Sequence, residues 1–234
     1  MRDSIHAEWR NHRAPVVVGW DTCTARGVLT VGSGGVVLSE TYFKTEKGHT
    51  GWLMPLVKMT FDRAGIAPGD IDYIAAGTGP GTFTGVKVGL ATAKAMAMAC
   101  GVPLVGVPTL DILAAGATPG VDLVLSTVDA RRGMLYAAVY RTGEGVPERV
   151  SEYLCETPDR VVEVARSLGY RTVEVVGEAP ASLVKLLEDG GELTVAEDRF
   201  PNGHGIIAVS DRLISRGRVG DAASVAPIYL KKPT

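Results

Sequence analysis

Two short stretches of this 234-residue chain follow the same plan, and their repetition limits the fold more than any other feature. Residues 16–20, VVVGW, lead into Asp21, a polar turn and a second apolar run, VLTVG. Residues 121–128, VDLVLSTV, lead into Asp129, another polar turn and MLYAAVY. Each stretch is typical of a strand, a turn and a second strand. The two aspartates lie 108 residues apart, which indicates two copies of one unit.

A second pair of segments repeats in the same order. The run IDYIAAG at 71–77 precedes a glycine-rich helical pattern, and TVEVVG at 172–177 precedes the helical pattern of 181–190. Each half is therefore predicted to run β-hairpin, helix, strand, helix. This alternation favours a mixed α/β protein in two similar halves.

The predicted boundaries between the halves follow from polar segments and from proline at strand ends. Residues 1–14 are polar and are expected to form a flexible extension before the first strand. A first half is expected over 15–108 and a second over 109–234, because Pro108 ends a short apolar strand and Thr109 can begin the next helix.

Composition excludes some classes of function. The net charge of −2 gives no electrostatic reason to bind nucleic acid unaided. Three cysteines without a CxxC pair favour a reducing compartment. The chain shows no signal-peptide pattern and no run of 18 apolar residues, so we expect a cytoplasmic protein without a membrane span.

The segment 77–101, GTGPGTFTGVKVGLATAKAMAMACG, has the densest glycine and alanine content of the chain. It matches neither a P-loop, because Val86 separates Gly85 from Lys87, nor a dinucleotide fingerprint, because Thr82 takes the place of the third glycine. The start of the predicted helix could bind an anion, or a threonine could cap it.

Small residues recur every four positions along this helix, from Gly85 to Ala97. Such a stripe lets another backbone approach closely, which could be a partner chain or the protein's own sheet. The preceding helix carries apolar residues on more than one side, and both helices contain methionine, which favours an interface with another subunit. The residues predicted for this partner interface are Trp52, Leu53, Leu56, Val57, Gly85, Gly89, Leu90, Ala93, Met96 and Ala97.

The same segment resembles the central motif of the TsaB (YeaZ) family. Further pieces match that family in order, from about residue 15 to the end of the chain: GWDTCTARG, HTGWLMPLV, VDARRGMLYAAVY and PIYLKKP. The resemblance implies an actin-like, Hsp70-like (ASKHA) fold of two RNase H-like halves, in agreement with the internal duplication.

That fold normally binds ATP between its halves through turns led by aspartate. The matching turns here offer Asp21, Asp129, Arg131 and Arg132 as candidate nucleotide or anion contacts. The first turn, DTCTARG, lacks the glycine of a tight phosphate turn, and the arginines could equally form a solvated turn. No two of the four histidines have metal-ligand spacing, so no metal site and no catalytic residue are predicted.

The resemblance implies a non-catalytic scaffold subunit in the threonylcarbamoylation of the tRNA adenosine next to the anticodon. It implies a TsaD-family transferase as partner and a TsaE-type ATPase that joins the pair. A chain without its partner would expose its apolar helices, so we expect a homodimer when the chain is alone. No cofactor is expected for this chain alone; ATP or ADP, metal and tRNA would reach it only through the complex. Two alternatives remain open at this stage: an ATP-dependent phosphotransferase or ATPase of the same fold, and a peptidase, which no nucleophile–base pair supports.

Overall fold

The computed structural model describes residues 14–44, 53–189, 193–195 and 200–230. Its first half is built on a five-stranded sheet with the strand order β3-β2-β1-β4-β5. The first three strands form an antiparallel meander, and β4 and β5 extend the sheet in parallel from β1. The elements are β1 Val16–Asp21, β2 Arg26–Ser33, β3 Val36–Lys44, α1 Leu53–Ala64, β4 Tyr73–Gly77, α2 Phe83–Cys100 and β5 Leu104–Val107.

The second half repeats this plan. Its central strands follow the order β11-β10-β6-β7, again with an antiparallel hairpin that is extended by parallel strands, and β8 and β9 both pair with β7. The elements are β6 Leu123–Arg131, β7 Met134–Arg141, β8 Glu148–Arg149, β9 Leu154–Glu156, α4 Pro158–Ser167, β10 Val173–Gly177, α5 Ala181–Glu188 and β11 Leu193–Val195. The predicted duplication is confirmed.

One face of each sheet is covered by the helices of its own half. In the first half, α1 and α2 pack on side chains such as Val18, Trp20 and Ile74. In the second half, α4 and α5 cover the corresponding face. The apolar strands of both sheets are buried on both faces, which is why they lack the alternating pattern of a half-exposed sheet.

The opposite faces are covered by two helices, each of which follows one sheet in the sequence and packs on the other. Helix α3, Thr109–Ala114, follows the first sheet but packs on the second, where Leu110 and Leu113 lie among side chains of β6, β7 and β10. Helix α6, Gly203–Ser215, follows the second sheet but packs on the first, where Ile206 and Ile207 contact the core of β1, β4 and β5. The first sheet therefore depends on a helix from the second half of the sequence, whereas α3, just after the predicted boundary at residue 108, covers the sheet of its own half.

No helix in the described part of the chain is long and apolar enough to cross a membrane. The predicted extension over residues 1–14 falls outside the described residues except for its last position.

Candidate functional site

The turn between β1 and β2 is buried at its first three residues, Thr22, Cys23 and Thr24. Asp21, the last residue of β1, is fully buried. Its Oδ1 accepts a hydrogen bond from the backbone N–H of Cys23 at 2.8 Å, and its Oδ2 accepts one from the hydroxyl of Thr109 at 2.7 Å. Burial raises the pKa of this carboxyl, and the hydrogen bond from Thr109 offsets part of that rise. Both oxygens are engaged inside the protein, so Asp21 does not offer a ligand contact in this conformation.

The start of α2 covers this turn from outside. The backbone N–H of Thr82 donates to the carbonyl oxygen of Cys23 at 2.7 Å, and the hydroxyl of Thr22 donates to the carbonyl oxygen of Gly85 at 2.7 Å. Thr82 is also the N-cap of α2, because its hydroxyl accepts from the backbone N–H of Gly85. Of the two alternatives for this helix start, the capped one is observed.

Three glycines spaced four residues apart, Gly81, Gly85 and Gly89, make this contact sterically feasible. A β-carbon on Gly81 would lie 2.2 Å from the carbonyl oxygen of Cys23. On Gly85 it would lie 2.0 Å from the carbonyl oxygen of Thr22, and on Gly89 it would lie 2.2 Å from the Thr22 hydroxyl. The glycines serve the close approach of α2 to the protein's own β1–β2 turn.

This placement changes the residues available for a partner. Seven of the ten residues predicted for the interface are buried inside the chain: Leu53, Val57, Gly89, Leu90, Ala93, Met96 and Ala97. Leu56 and Gly85 are half-buried, and Trp52 lies outside the described residues. The prediction is therefore corrected for Leu53, Gly89, Leu90, Ala93 and Ala97, which lie against this protein's own first sheet. Val57 and Met96 belong to the same core but also line the groove described next.

The outer face of α2 carries a second stripe of small residues at the same spacing. Ala91, Ala95 and Ala99 are exposed, and Met54 of α1 and Met98 of α2 are 51% and 73% exposed. Between the two helices lies a groove of about 890 Å³ with a mostly apolar lining. We call this surface the outer groove. Its lining residues are Met54, Val57, Lys58, Phe61, Asp62, Ile66, Pro68, Ala91, Thr92, Ala95, Met96, Ala99 and Cys100.

The corresponding turn of the second half is open. Asp129 repeats the geometry of Asp21, because its Oδ1 accepts from the backbone N–H of Arg131, two residues on, at 2.7 Å. Arg131 also pairs with the Asp129 carboxylate at 3.1 Å. Arg131 and Arg132 both adopt left-handed backbone conformations, with φ of 69° and 57°, and both are exposed. The carboxylate of Glu178 accepts from the backbone N–H of Asp129 at 2.6 Å, so negative charge adjoins these cations.

The four residues predicted for an anion site are thus divided between two turns, one closed and one open. Among the residues that the structure describes, no three His, Cys, Asp or Glu side chains come together as metal ligands would. The residues that sequence reasoning missed are Thr22 and Thr109, which hold the closed turn, and the alanines of the outer groove. The spacing of the alanines could have been found in the sequence. The threonine contacts could not, because they join segments that lie far apart in the chain.

The repeated sheets, the exchanged helices and the paired aspartate-led turns define an α/β protein of the actin-like, Hsp70-like class with two RNase H-like halves. A family model described as "TsaD: tRNA N6-adenosine threonylcarbamoyltransferase" matches residues 33–184. The chain belongs to this family and, within it, to the TsaB (YeaZ) proteins.

The relatives agree with this assignment. The tRNA threonylcarbamoyladenosine biosynthesis protein TsaB of Escherichia coli K12 is 28% identical over 221 residues, which cover 92% of this chain and 94% of that protein. The protein of the same name from Bacillus subtilis is 33% identical over 129 residues, about half of each chain. A solved Pseudomonas aeruginosa protein described as similar to peptidase YEAZ superposes with a TM-score of 0.80 at 24% identity and covers 93% of this chain and 100% of its own.

Proposed function

We propose that this chain is a non-catalytic subunit that binds and supports a TsaD-type transferase in the threonylcarbamoylation of the tRNA adenosine next to the anticodon. The names of the relatives support the pathway, and the E. coli relative is matched over almost its whole length. In this proposal the complex works in the cytoplasm, a TsaE-type ATPase joins it, and nucleotide, metal and tRNA are bound through the partners.

The outer groove is the observation that carries the proposal. Its exposed alanines allow a partner helix to approach α2 closely, and Met54 in its lining can adapt to the shape of that helix. An apolar surface of this kind is costly to leave in water, which favours its coverage by another chain. Lys58 and Asp62, which form a 2.8 Å ion pair on α1, give the groove a polar border.

The same surface accounts for the homodimer proposed for the isolated chain. Two copies related by a two-fold axis would cover each other's outer groove. Because one surface serves both contacts, homodimer formation and binding of the transferase would exclude each other.

The proposal is tested by light scattering on a size-exclusion column with the chain alone and mixed with the TsaD-family protein of the same organism. We expect the chain alone to elute as a homodimer and the mixture to give a heteromeric peak instead. Ala95→Glu places a charge in the outer groove and should abolish both species while the variant still unfolds in one cooperative thermal transition.

Two further alanine-to-glutamate variants act as matched controls. Ala181 is an exposed residue of α5 in the second half, and Ala181→Glu should bind the transferase as the parent does. Ala93→Glu faces the first sheet and should unfold the protein, as expected for an unpaired charge in the core. A folded Ala95→Glu variant that still binds the transferase would place the interface elsewhere and overturn this assignment of the surface.

The ATP-dependent phosphotransferase or ATPase is the weaker candidate. A nucleotide phosphate would need the β1–β2 turn, and in this structure Asp21 of that turn is buried and α2 lies against it. Titration of the isolated chain with MgATP in a calorimeter separates the two functions: we expect no heat of binding, and saturable binding would favour the enzyme.

A further inference from the structure

A buried polar cluster joins the two exchanged helices. The carboxylate of Asp111, on α3, accepts hydrogen bonds from the hydroxyls of Tyr140 and Tyr153, each at 2.7 Å to the same oxygen. Its other oxygen lies 3.6 Å from Nη2 of Arg212, on α6. The side chains of Asp111 and Arg212 are only 12% and 20% exposed. We call these four residues the interhelix cluster.

The phenols in this cluster are fixed as donors. Burial raises the pKa of Tyr140 and Tyr153, and the nearby negative charge of Asp111 raises both pKa values further. Both hydroxyls therefore keep their protons over the pH range in which proteins are stable. Asp111 is held from one side by two neutral donors and from the other by the Arg212 cation.

Arg212 also contacts the backbone of the second half. Its Nη1 donates to the carbonyl oxygens of Pro147 at 2.9 Å and Val146 at 3.4 Å, in the loop between β7 and β8. The helix that carries Arg212 packs on the first sheet. One guanidinium thus bonds the helix on the first sheet to a helix and a loop that belong to the second.

Close backbone packing beside the cluster limits sliding of the two helices. A β-carbon on Gly205 of α6 would lie 2.3 Å from the carbonyl oxygen of Ile112 on α3. A β-carbon on Gly116, just after α3, would lie 2.9 Å from the side-chain nitrogen Nδ2 of Asn202, the N-cap of α6. At Gly205 the helices touch through backbone atoms, and such a contact adapts less readily than one with a flexible side chain.

We propose that the interhelix cluster holds the two halves at one fixed angle, so that this chain does not open and close as two-lobed proteins that hinge around a ligand do. Hinge closure needs few bonds across the moving boundary. Here the Arg212 guanidinium pairs with Asp111 and bonds two backbone carbonyls across it, while the two phenols hold Asp111 in place on the second half. A fixed angle presents an unchanging surface to any partner of the chain.

The experiment measures the distance between the halves by pulsed electron resonance. Spin labels are placed at Tyr42→Cys on β3 and Lys185→Cys on α5, both exposed, in a Cys100→Ser background, and diluted with unlabelled chain. We expect a single narrow distance distribution in the parent and a width increased roughly twofold or more by Arg212→Met, because the methionine fills the space without the bonds.

The matched control is Arg171→Met. It removes the ion pair of an exposed arginine with Asp122 that lies 3.9 Å away in the second half, and its distribution should equal that of the parent. A folded Arg212→Met variant with the parental width would overturn the proposal.

A second variant covers the case in which Arg212→Met does not fold. Asp111→Asn retains an oxygen that can accept from both tyrosines but removes the charge that faces Arg212, and it should broaden the distribution in the same way. Loss of cooperative unfolding in both variants would also overturn the proposal, because the cluster would then maintain the halves themselves and not the angle between them.

Discussion

At the scale of single residues, Gly85 shows how one missing side chain determines where a helix lies. Gly85 approaches the carbonyl oxygen of Thr22 so closely that a β-carbon would lie 2.0 Å from that oxygen. The atom in the way is backbone, which cannot rotate aside as the end of a flexible side chain could. The same contact closes the turn that contains Asp21.

Gly85→Ala should lower the free energy of unfolding by about 2 kcal/mol or more, the range of overpacked sites, although alanine favours a helix over glycine by about 1 kcal/mol. Urea denaturation followed by circular dichroism measures the change. Gly143→Ala is the control, since a β-carbon there would meet nothing within 4 Å, and it should stay within about 0.5 kcal/mol of the parent. Equal denaturation midpoints for the two variants would contradict the packing described here.

Asp21 makes a pH-dependent prediction. Because burial raises its pKa in the folded protein, the folded state favours the protonated carboxyl, and the cost of a buried charge is present at neutral pH. That cost disappears as the pH falls through the raised pKa toward the ordinary value of about 3.9. Asp21→Asn is uncharged at every pH and keeps an acceptor for the Cys23 N–H, while the hydroxyl of Thr109 can accept from the new amide.

The stability of Asp21→Asn relative to the parent should therefore rise between about pH 4 and pH 7. Thermal unfolding of both proteins across that range measures it. A difference that does not vary with pH would mean that Asp21 keeps its ordinary pKa in the folded state.

At the scale of elements, α2 is a helix whose existence can be predicted from the sequence and whose orientation cannot. The helix, its small residues and a threonine cap follow from local patterns, although those patterns do not decide between Thr82, the cap observed, and Thr84. Its orientation does not follow from them, because small residues recur every four positions on two faces, from Gly85 to Ala97 and from Ala91 to Ala99. The contact that decides between them joins Gly85 to Thr22, and neither segment alone shows that they meet.

The two exchanged helices show the same limit. Helical spacing in residues 206–217 predicts α6, and the strand boundary at Pro108 predicts α3, although Thr109 is its first residue and not its cap. Their sheets cannot be assigned from those signals, since an apolar helix face fits either of two similar sheets. Long-range pairs such as Gly205 with Ile112 carry the assignment.

At the scale of the whole molecule, α6 makes the first half depend on the second. Residues 15–108 expressed alone should show no cooperative unfolding transition, because the face of the first sheet that Ile206, Ile207 and Val209 cover would be exposed. Urea denaturation followed by tryptophan fluorescence tests this, since Trp20 is fully buried in the native first half.

The matched comparison appends residues 200–217 to this fragment through a flexible Gly/Ser linker, which restores the missing helix. Cooperative unfolding should then return. A fragment of 15–108 that unfolds cooperatively without the added helix would show that α6 is dispensable for the first half.

The position of α6 late in the sequence also has a consequence for the chain while it is being synthesised. The first sheet is complete in sequence at Val107, but the helix that covers its second face begins at Gly203, 96 residues later. At translation rates of about 5 to 20 residues per second, the interval is roughly 5 to 20 seconds. During that time one apolar face of the newly made first sheet is exposed to solvent. Exposed apolar surface promotes aggregation, so we expect this to be the interval in which a chaperone would protect the chain.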